Sequence, residues 1–324
     1  MKTLLWLPLL LLSIQSVAQT KVILDTDIDS DVDDVQALTM LHAYAKQGII
    51  DLIGVIVTSS DSFSYKCANA INTFYDSAEI PIGFLKQQKN LSNFSKYTRQ
   101  ISAEFPHAIK TIDETTEAAV LYRKLLSQSE DNSVIIVTIG HLSSLQNLLK
   151  SEADSISPLS GKQLVNKKVK KWLCMGGTYP KGLEANFYRP DPVSTVYCLD
   201  NWEKEVIFCG WELGNKIITG GDYLKSALQS NNPVYRSYEL YNNFKGRPAW
   251  DQAAVLLLDP NTTSKFFNIN TNGYVSVQQD GSNKWHWKKS KKGKKHAFIS
   301  IKENVDPETV AKTMDDLILQ LESN

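Results

Sequence analysis

From Lys21 to about Pro260 the chain alternates strand-like apolar runs with amphipathic helical stretches, and few architectures accommodate that order. KVILDTD precedes VQALTMLHAYAKQG, IDLIGVIVTSS precedes SYKCANAINTFYDSA, SVIIVTIG precedes SSLQNLLKSE, and EVIFCG precedes DYLKSALQS, while VKKWLCMGG is a further strand ending in a glycine pair. The strand runs are apolar at consecutive positions, as in strands buried on both faces. In the first helical stretch Val35, Leu38, Met40 and Leu41 have helical spacing and Gly48 supplies a stop. The pattern predicts an α/β fold, an open, mostly parallel, Rossmann-like sheet flanked by helices. The tail differs: GYVSVQQDG and KHAFISI alternate with period two and predict a β-hairpin, followed by a helix from about Pro307 to Leu321.

Residues 1–18 read as a secretory signal peptide, with Lys2, an apolar run from Leu4 to Leu12, and small residues up to Ala18. The expectation is an exported protein, periplasmic or secreted, whose residues 19–324 form one domain. The apolar run is too short to span a bilayer, so no membrane partner is expected. The chain carries 35 basic and 35 acidic residues, a balance that argues against bulk nucleic-acid binding. The lysine-rich run KKSKKGKKH, from Lys288 to His296, reads as a solvated hairpin tip. Cys67, Cys174, Cys198 and Cys209 lack zinc-site spacing, and buried free thiols are expected.

Directly behind the first apolar run, DTDIDSDVDD places six aspartates within ten residues. Ligand crevices of open α/β sheets lie beyond the carboxyl ends of the strands. Asp25 and Asp27 end the first strand, Thr58 to Asp61 the second, Ile139 to His141 the third, and Met175 to Thr178 the fourth. Clustered carboxylates repel one another unless protons or a cation intervene, and oxygen ligands suit a hard divalent ion, Ca²⁺ or Mg²⁺. An EF-hand is excluded: counted from Asp25 or Asp27, the twelfth position is Gln36 or Leu38 instead of glutamate, and the sixth is Ser30 or Val32 instead of glycine. A haloacid-dehalogenase-type phosphatase motif wants threonine or valine where Asp29 stands. Helix capping explains one or two of the acids, not six.

These residues resemble those of the inosine/uridine-preferring nucleoside hydrolases. The family opens on a strand followed by DxDxxxDD, which DTDIDSDVDD matches with two extra residues before the closing pair. IVTIGHLSSL is similar to the family's third-strand GxLTN loop, MGGTYPKGLEANFYRPDPVST to its MGG block, and RPAWDQAAVLLLDP to its late aspartate-bearing helix start. The resemblance implies hydrolysis of a ribonucleoside or related N-riboside to ribose and free base, with Ca²⁺ as cofactor and a nucleoside as the small-molecule partner. It implies Asp27 as metal ligand and general base, Asp34 and Asp251 as carboxylate ligands, and the Ile139 carbonyl as backbone ligand. Asp33 would bind the ribose 2′-hydroxyl, Glu184 and Asn186 the other hydroxyls, and Asp25 would orient Asp27. Met175 is a further candidate contact. A homo-oligomer, dimer or tetramer, is also implied, although no interface is legible.

The departures concentrate at the base end. Trp250 stands where many members have a histidine that serves as leaving-group acid; an indole can stack on a base but cannot protonate it. Ser60 or Asp61 replaces an asparagine, Tyr179 or Lys181 occupies the region of another, and Asp29 stands where glycine is common. His141 is read as a turn residue or a proton donor, and Asp29 and Asp31 have no assigned role. Two other functions stay open: a calcium-dependent sugar-binding protein without turnover, and a magnesium-dependent phosphatase.

Overall fold

The structure, a computed structural model, describes residues 19–322 except 88–89, 289 and 291–292. The expected leader and part of the lysine-rich run therefore lie outside the described residues. Among the described residues fourteen strands occur in chain order: β1 (Thr20–Thr26), β2 (Ile50–Val57), β3 (Ile82–Phe84), β4 (Thr116–Glu117), β5 (Val134–Thr138), β6 (Val169–Met175), β7 (Lys181–Gly182), β8 (Glu205–Cys209), β9 (Ile218–Thr219), β10 (Arg247–Pro248), β11 (Phe267–Asn270), β12 (Tyr274–Val277), β13 (Asn283–His286) and β14 (His296–Ile301).

Nine of them form one sheet in the order β11-β14-β8-β6-β5-β1-β2-β3-β4. Every neighbouring pair is parallel except β11 with β14. From β1 the chain builds outward through β2, β3 and β4, then returns to the other side of β1 with β5 and builds outward again. The strand order thus reverses between β1 and β5, which is where a crevice opens at the carboxyl rim.

The central strands are buried on both faces because their side chains alternate between two cores. Val22 and Leu24 of β1, with Ile135 and Val137 of β5, pack on the side of the helix Asp33–Lys46. Ile23, Val134 and Ile136 pack on the other side with Leu145 and Leu148 of the helix Ser143–Lys150. Each such side chain contributes roughly 1.5–3 kcal/mol on burial. Gly48, at φ 75°, ends the first helix as its position in the sequence predicts.

The C-terminal hairpin is present, but its second arm is NKWH. Tyr274–Val277 pairs antiparallel with Asn283–His286, whereas KHAFISI enters the main sheet parallel to β8. His296 to Ile299 are buried at four consecutive positions, which suits an interior strand better than a half-exposed hairpin. The helix Pro307–Leu319 closes the chain. The hairpin also braces the loop after β6: β13 pairs with β7, and the Asn283 side chain accepts from Thr178 N at 2.9 Å and donates to Thr178 O at 2.8 Å. All four cysteines are buried and free. Among the described residues no helix is long and apolar enough to cross a membrane.

Candidate functional site

The expected strand ends converge on one cavity of about 460 Å³. Asp27, Asp33, Asp34, Ile139, Met175, Glu184, Asn186, Trp250 and Asp251 all line it, together with His141 and Ser60. Asp25 lies beneath, buried, where its carboxylate accepts from the hydroxyls of Thr58 and Tyr122, the latter at 2.8 Å. The ends of β1 and β5 are tied by the Ile139 N–H, which donates to Asp25 O at 2.8 Å. Past that bond the chain runs against Asp27 so closely that a Cβ on Gly140 would stand 2.7 Å from the Asp27 backbone nitrogen, Cβ and Cγ.

Asp33 and Asp34 occupy the first turn of their helix, and Asp251 the first turn of the helix Trp250–Leu256. Both helix N-termini favour negative charge there. Asp33 accepts from the Asp251 N–H at 3.4 Å, and Asp34 from the Thr26 hydroxyl. Oxygens of Asp33, Asp34 and Asp251 lie within 4.8 Å of one another, all three residues buried. Asp27, expected as a ligand with Asp34 and Asp251, faces the same cavity but is not a member of that triad.

Burial dominates the electrostatics. It raises the proton affinities of Asp27, Asp34 and Asp251 well above the usual carboxylate range, and the neighbouring aspartates add to the effect, Asp34 most for Asp27, and Asp33 most for Asp34 and Asp251. Asp33 rises to about 7 through burial and the charge of Asp31, although Arg247 opposes the shift. Such a cluster is unfavourable when ionised without a counter-charge. Three buried oxygen donors at this spacing fit a hard divalent cation.

In the same cavity Glu184 caps the short helix Ala185–Tyr188. Its carboxylate accepts from Asn186 N and Gly177 N, both at 2.9 Å, and burial raises it to about 7. Asn186 Nδ2 donates to the Ile139 carbonyl at 3.0 Å, so a carbonyl oxygen expected to face a metal already anchors a ribose candidate. The second lone pair of that oxygen is not used by this bond. His141 is buried, which lowers its pKa to about 4, and its Nδ1 meets the Ser143 hydroxyl at 3.0 Å. That hydroxyl donates to Asp191 at 2.9 Å. Of the two candidates after β2, Ser60 lines the cavity, while Asp61 braces the next loop by accepting from Phe63 N, Phe94 N, Ser95 N and the Thr98 hydroxyl. Tyr179 instead stacks on Phe298 at 5.0 Å, and Lys181 belongs to β7; neither lines the cavity.

The two aspartates without an assigned role acquire partners. Asp29 accepts from the Ser59 hydroxyl at 2.6 Å and from Ser30 N. Asp31 pairs with Arg247 Nη2 at 2.7 Å and accepts from the Tyr241 hydroxyl at 2.9 Å, while its carbonyl accepts from the Tyr97 hydroxyl at 2.6 Å. The Arg247 guanidinium lies 4.8 Å from the Trp250 ring centroid, and Trp250 Nε1 donates to Trp211 O at 3.0 Å. Arg189, Arg247, Trp211 and Phe94 also line the cavity, and sequence reasoning assigned none of them. The one available signal was RPAW, which places Arg247 three residues before Trp250.

An open, mostly parallel sheet with a carboxylate-lined crevice at its switch point defines an α/β protein with a candidate ligand site over its strand ends. Residues 22–312 match the family described as inosine-uridine preferring nucleoside hydrolase, and the chain belongs to that family, whose members act on nucleosides. Among solved structures it is similar to a plant nucleoside hydrolase, at 17% identity and a TM-score of 0.69, with 93% of this chain and 99% of that one covered. It is also similar to the purine-preferring ribonucleoside hydrolase from Gardnerella vaginalis, at 16% identity and 0.67, covering 93% and 98%. A third similar structure is the type III effector protein XopQ complexed with adenosine diphosphate ribose, at 15% identity and 0.65, covering 94% and 95%. At these identities the likeness speaks for the fold. No curated protein matches the chain.

Proposed function

We propose that this protein hydrolyses the N-glycosidic bond of ribonucleosides or closely related N-ribosides, releasing ribose and free base. The observation that carries the reading is the buried Asp33, Asp34 and Asp251 triad, which lines one cavity together with Glu184 and Asn186. Asp34 and Asp251, with Asp27 and the free lone pair of the Ile139 carbonyl, would hold a Ca²⁺ ion. Such an ion, when bound, acidifies water and grips vicinal hydroxyls. Asp27 accepts the proton of the attacking water, and Asp25 beneath the strand end holds the local backbone in place. Asp33, Glu184 and Asn186 take the ribose hydroxyls. Positive charge developing on the sugar ring then faces buried carboxylates, which stabilise it. The base lies toward Trp250, with Trp211 and Phe94 exposed at the mouth.

Incubation with a panel of ribonucleosides and calcium, assayed for reducing sugar, is expected to show turnover of at least one. No turnover of any riboside contradicts the reading. A second reading, a calcium-dependent binding protein without turnover, is favoured by one observation: Trp250 replaces the family histidine and its N–H is engaged by Trp211. It also draws on the XopQ structure, which is a complex with adenosine diphosphate ribose. On that reading calorimetry finds riboside binding without product, and Asp27→Ala removes the binding. On the hydrolase reading the wild type forms product, and Asp27→Asn, which keeps an oxygen donor for the metal but cannot take the proton, keeps affinity and loses turnover.

The buried acids also set a pH dependence of stability. Asp25, Asp33 and Glu184 titrate near 7 when folded, chiefly because of burial, against about 4 in the unfolded chain. Between these values the folded state binds more protons, so metal-free stability is greatest below about pH 4 from these groups and falls as pH rises to about 7. Thermal unfolding in chelator is therefore expected at a lower temperature at pH 8 than at pH 5. Excess calcium is expected to raise the midpoint most at pH 8, because it favours the ionised cluster. A midpoint in chelator that rises from pH 5 to pH 8 contradicts this account.

A further inference from the structure

We propose that Arg247, held by Asp31 and stacked on Trp250, stabilises the departing base as a fixed cation, in place of a proton donor. The inference rests on the hydrolase reading and deepens it at the base end. Trp250 cannot supply a proton, and its N–H is committed to the Trp211 carbonyl at 3.0 Å. The nearby tyrosine hydroxyls are committed as well, Tyr241 to the Asp31 carboxylate and Tyr97 to the Asp31 carbonyl. His141 stands on the side of Ser143 and Asp191, bonded to Ser143. The cavity is lined by two arginines. Arg189 directly follows the helix that Glu184 caps and its charge acts on Glu184, which places it at the sugar end.

Arg247 is built into the other end. Pairing of β10 with β9 fixes its backbone, and Asp31 holds Nη2 at 2.7 Å. Its guanidinium packs against the Trp250 face at 4.8 Å, and its Nε–H is buried without a partner among the described residues. Both residues line the cavity, so a base lying against Trp250 is beside this cation. Arginine stays charged throughout the working range, so it offers N–H donors to an anion and not a transferable proton. When the C1′–N bond breaks, its electron pair passes to the base, which leaves as an anion hydrogen-bonded to Arg247. Water supplies the oxygen that bonds to C1′, its proton passes to Asp27, and the base takes up a proton from solvent after departure. Asp27 returns its proton to solvent, so the sum is riboside plus water to ribose plus neutral base. This device selects heterocyclic bases with ring nitrogens or carbonyl oxygens that accept hydrogen bonds. Asp31 is then a positioning residue for Arg247.

The test compares leaving groups. With the best ribonucleoside found for the wild type, Arg247→Gln is expected to lower kcat/KM about 100-fold, the scale for loss of one preorganised donor. With p-nitrophenyl riboside, whose phenolate needs no assistance, the loss is expected to stay within about threefold. Asp31→Asn is expected to show the same selectivity at about a tenth of the size, and Arg247→Lys to recover part of the ribonucleoside rate. Equal losses on both substrates for the Gln and Asn variants overturn the role of Arg247 and leave the hydrolase reading standing. Failure of the wild type to cleave either substrate overturns the hydrolase reading itself, and this inference with it.

Discussion

Asp27→Asn is expected to lower kcat for ribonucleoside hydrolysis by about 1,000-fold or more, the upper range for removal of a general base. The loss corresponds to about 4 kcal/mol of transition-state stabilisation. The substitution is nearly isosteric, and Asp27 lines the cavity without any of the bonds that hold the strand ends together. Those are made by Asp25 O with Ile139 N, by Thr58 and Tyr122 with Asp25, and by Thr26 with Asp34. Removing one charge also relieves part of the repulsion that raises Asp251. Thermal stability without metal is therefore expected to be unchanged or higher, while turnover collapses. Steady-state kinetics and a melting curve on the same preparation check both halves. A variant that keeps more than a tenth of the wild-type kcat contradicts the role.

Gly140→Ala is expected to cost about 100-fold in kcat/KM without removing any polar group of the site. Its Cβ would stand 2.7 Å from three Asp27 atoms, one of them backbone nitrogen, so β1 and the loop after β5 must separate. That movement displaces Asp27 and the Ile139 carbonyl together, and a displacement on the order of 1 Å in a positioned catalytic group is worth about this much. Gly221→Ala is the control: a Cβ there meets nothing within 4 Å, and its φ of −92° suits any residue. Kinetics of the two variants side by side separate crowding of the site from a general effect of alanine. Equal activities contradict the claim that Gly140 sets the position of Asp27.

Much of the site was legible because its residues sit where an apolar run ends, which sequence displays directly. Asp25, Asp27, Ile139 and Met175 were placed at strand ends by that rule, and the structure brings the last three to one cavity with Asp25 beneath. Strand order was not legible. The reversal between β1 and β5 depends on pairings across more than a hundred residues of chain, and local pattern says nothing about them. The second arm of the hairpin failed for a related reason. Period-two alternation marks KHAFISI as a strand but does not choose between a free partner and the edge of β8.

Asp31 had no role in the sequence because its partners, Tyr241 and Arg247, come from the far end of the chain, Tyr241 from 210 residues away. Only folding brings them together beside Trp250. The substitution of Trp250 for histidine was legible as a loss of an acid. What compensates for it was not, since the compensating charge is on a different element and is held by an aspartate from the opening motif.

The most direct test of the central claim is a crystal structure of the Asp27→Asn protein grown with calcium and a ribonucleoside that the wild type cleaves. The expected result is an intact nucleoside with calcium on Asp34 and Asp251, ribose hydroxyls on Asp33, Glu184 and Asn186, and the base against Trp250 beside Arg247. A nucleoside bound outside this cavity, or with its sugar at Trp250 and its base over the aspartates, would contradict it.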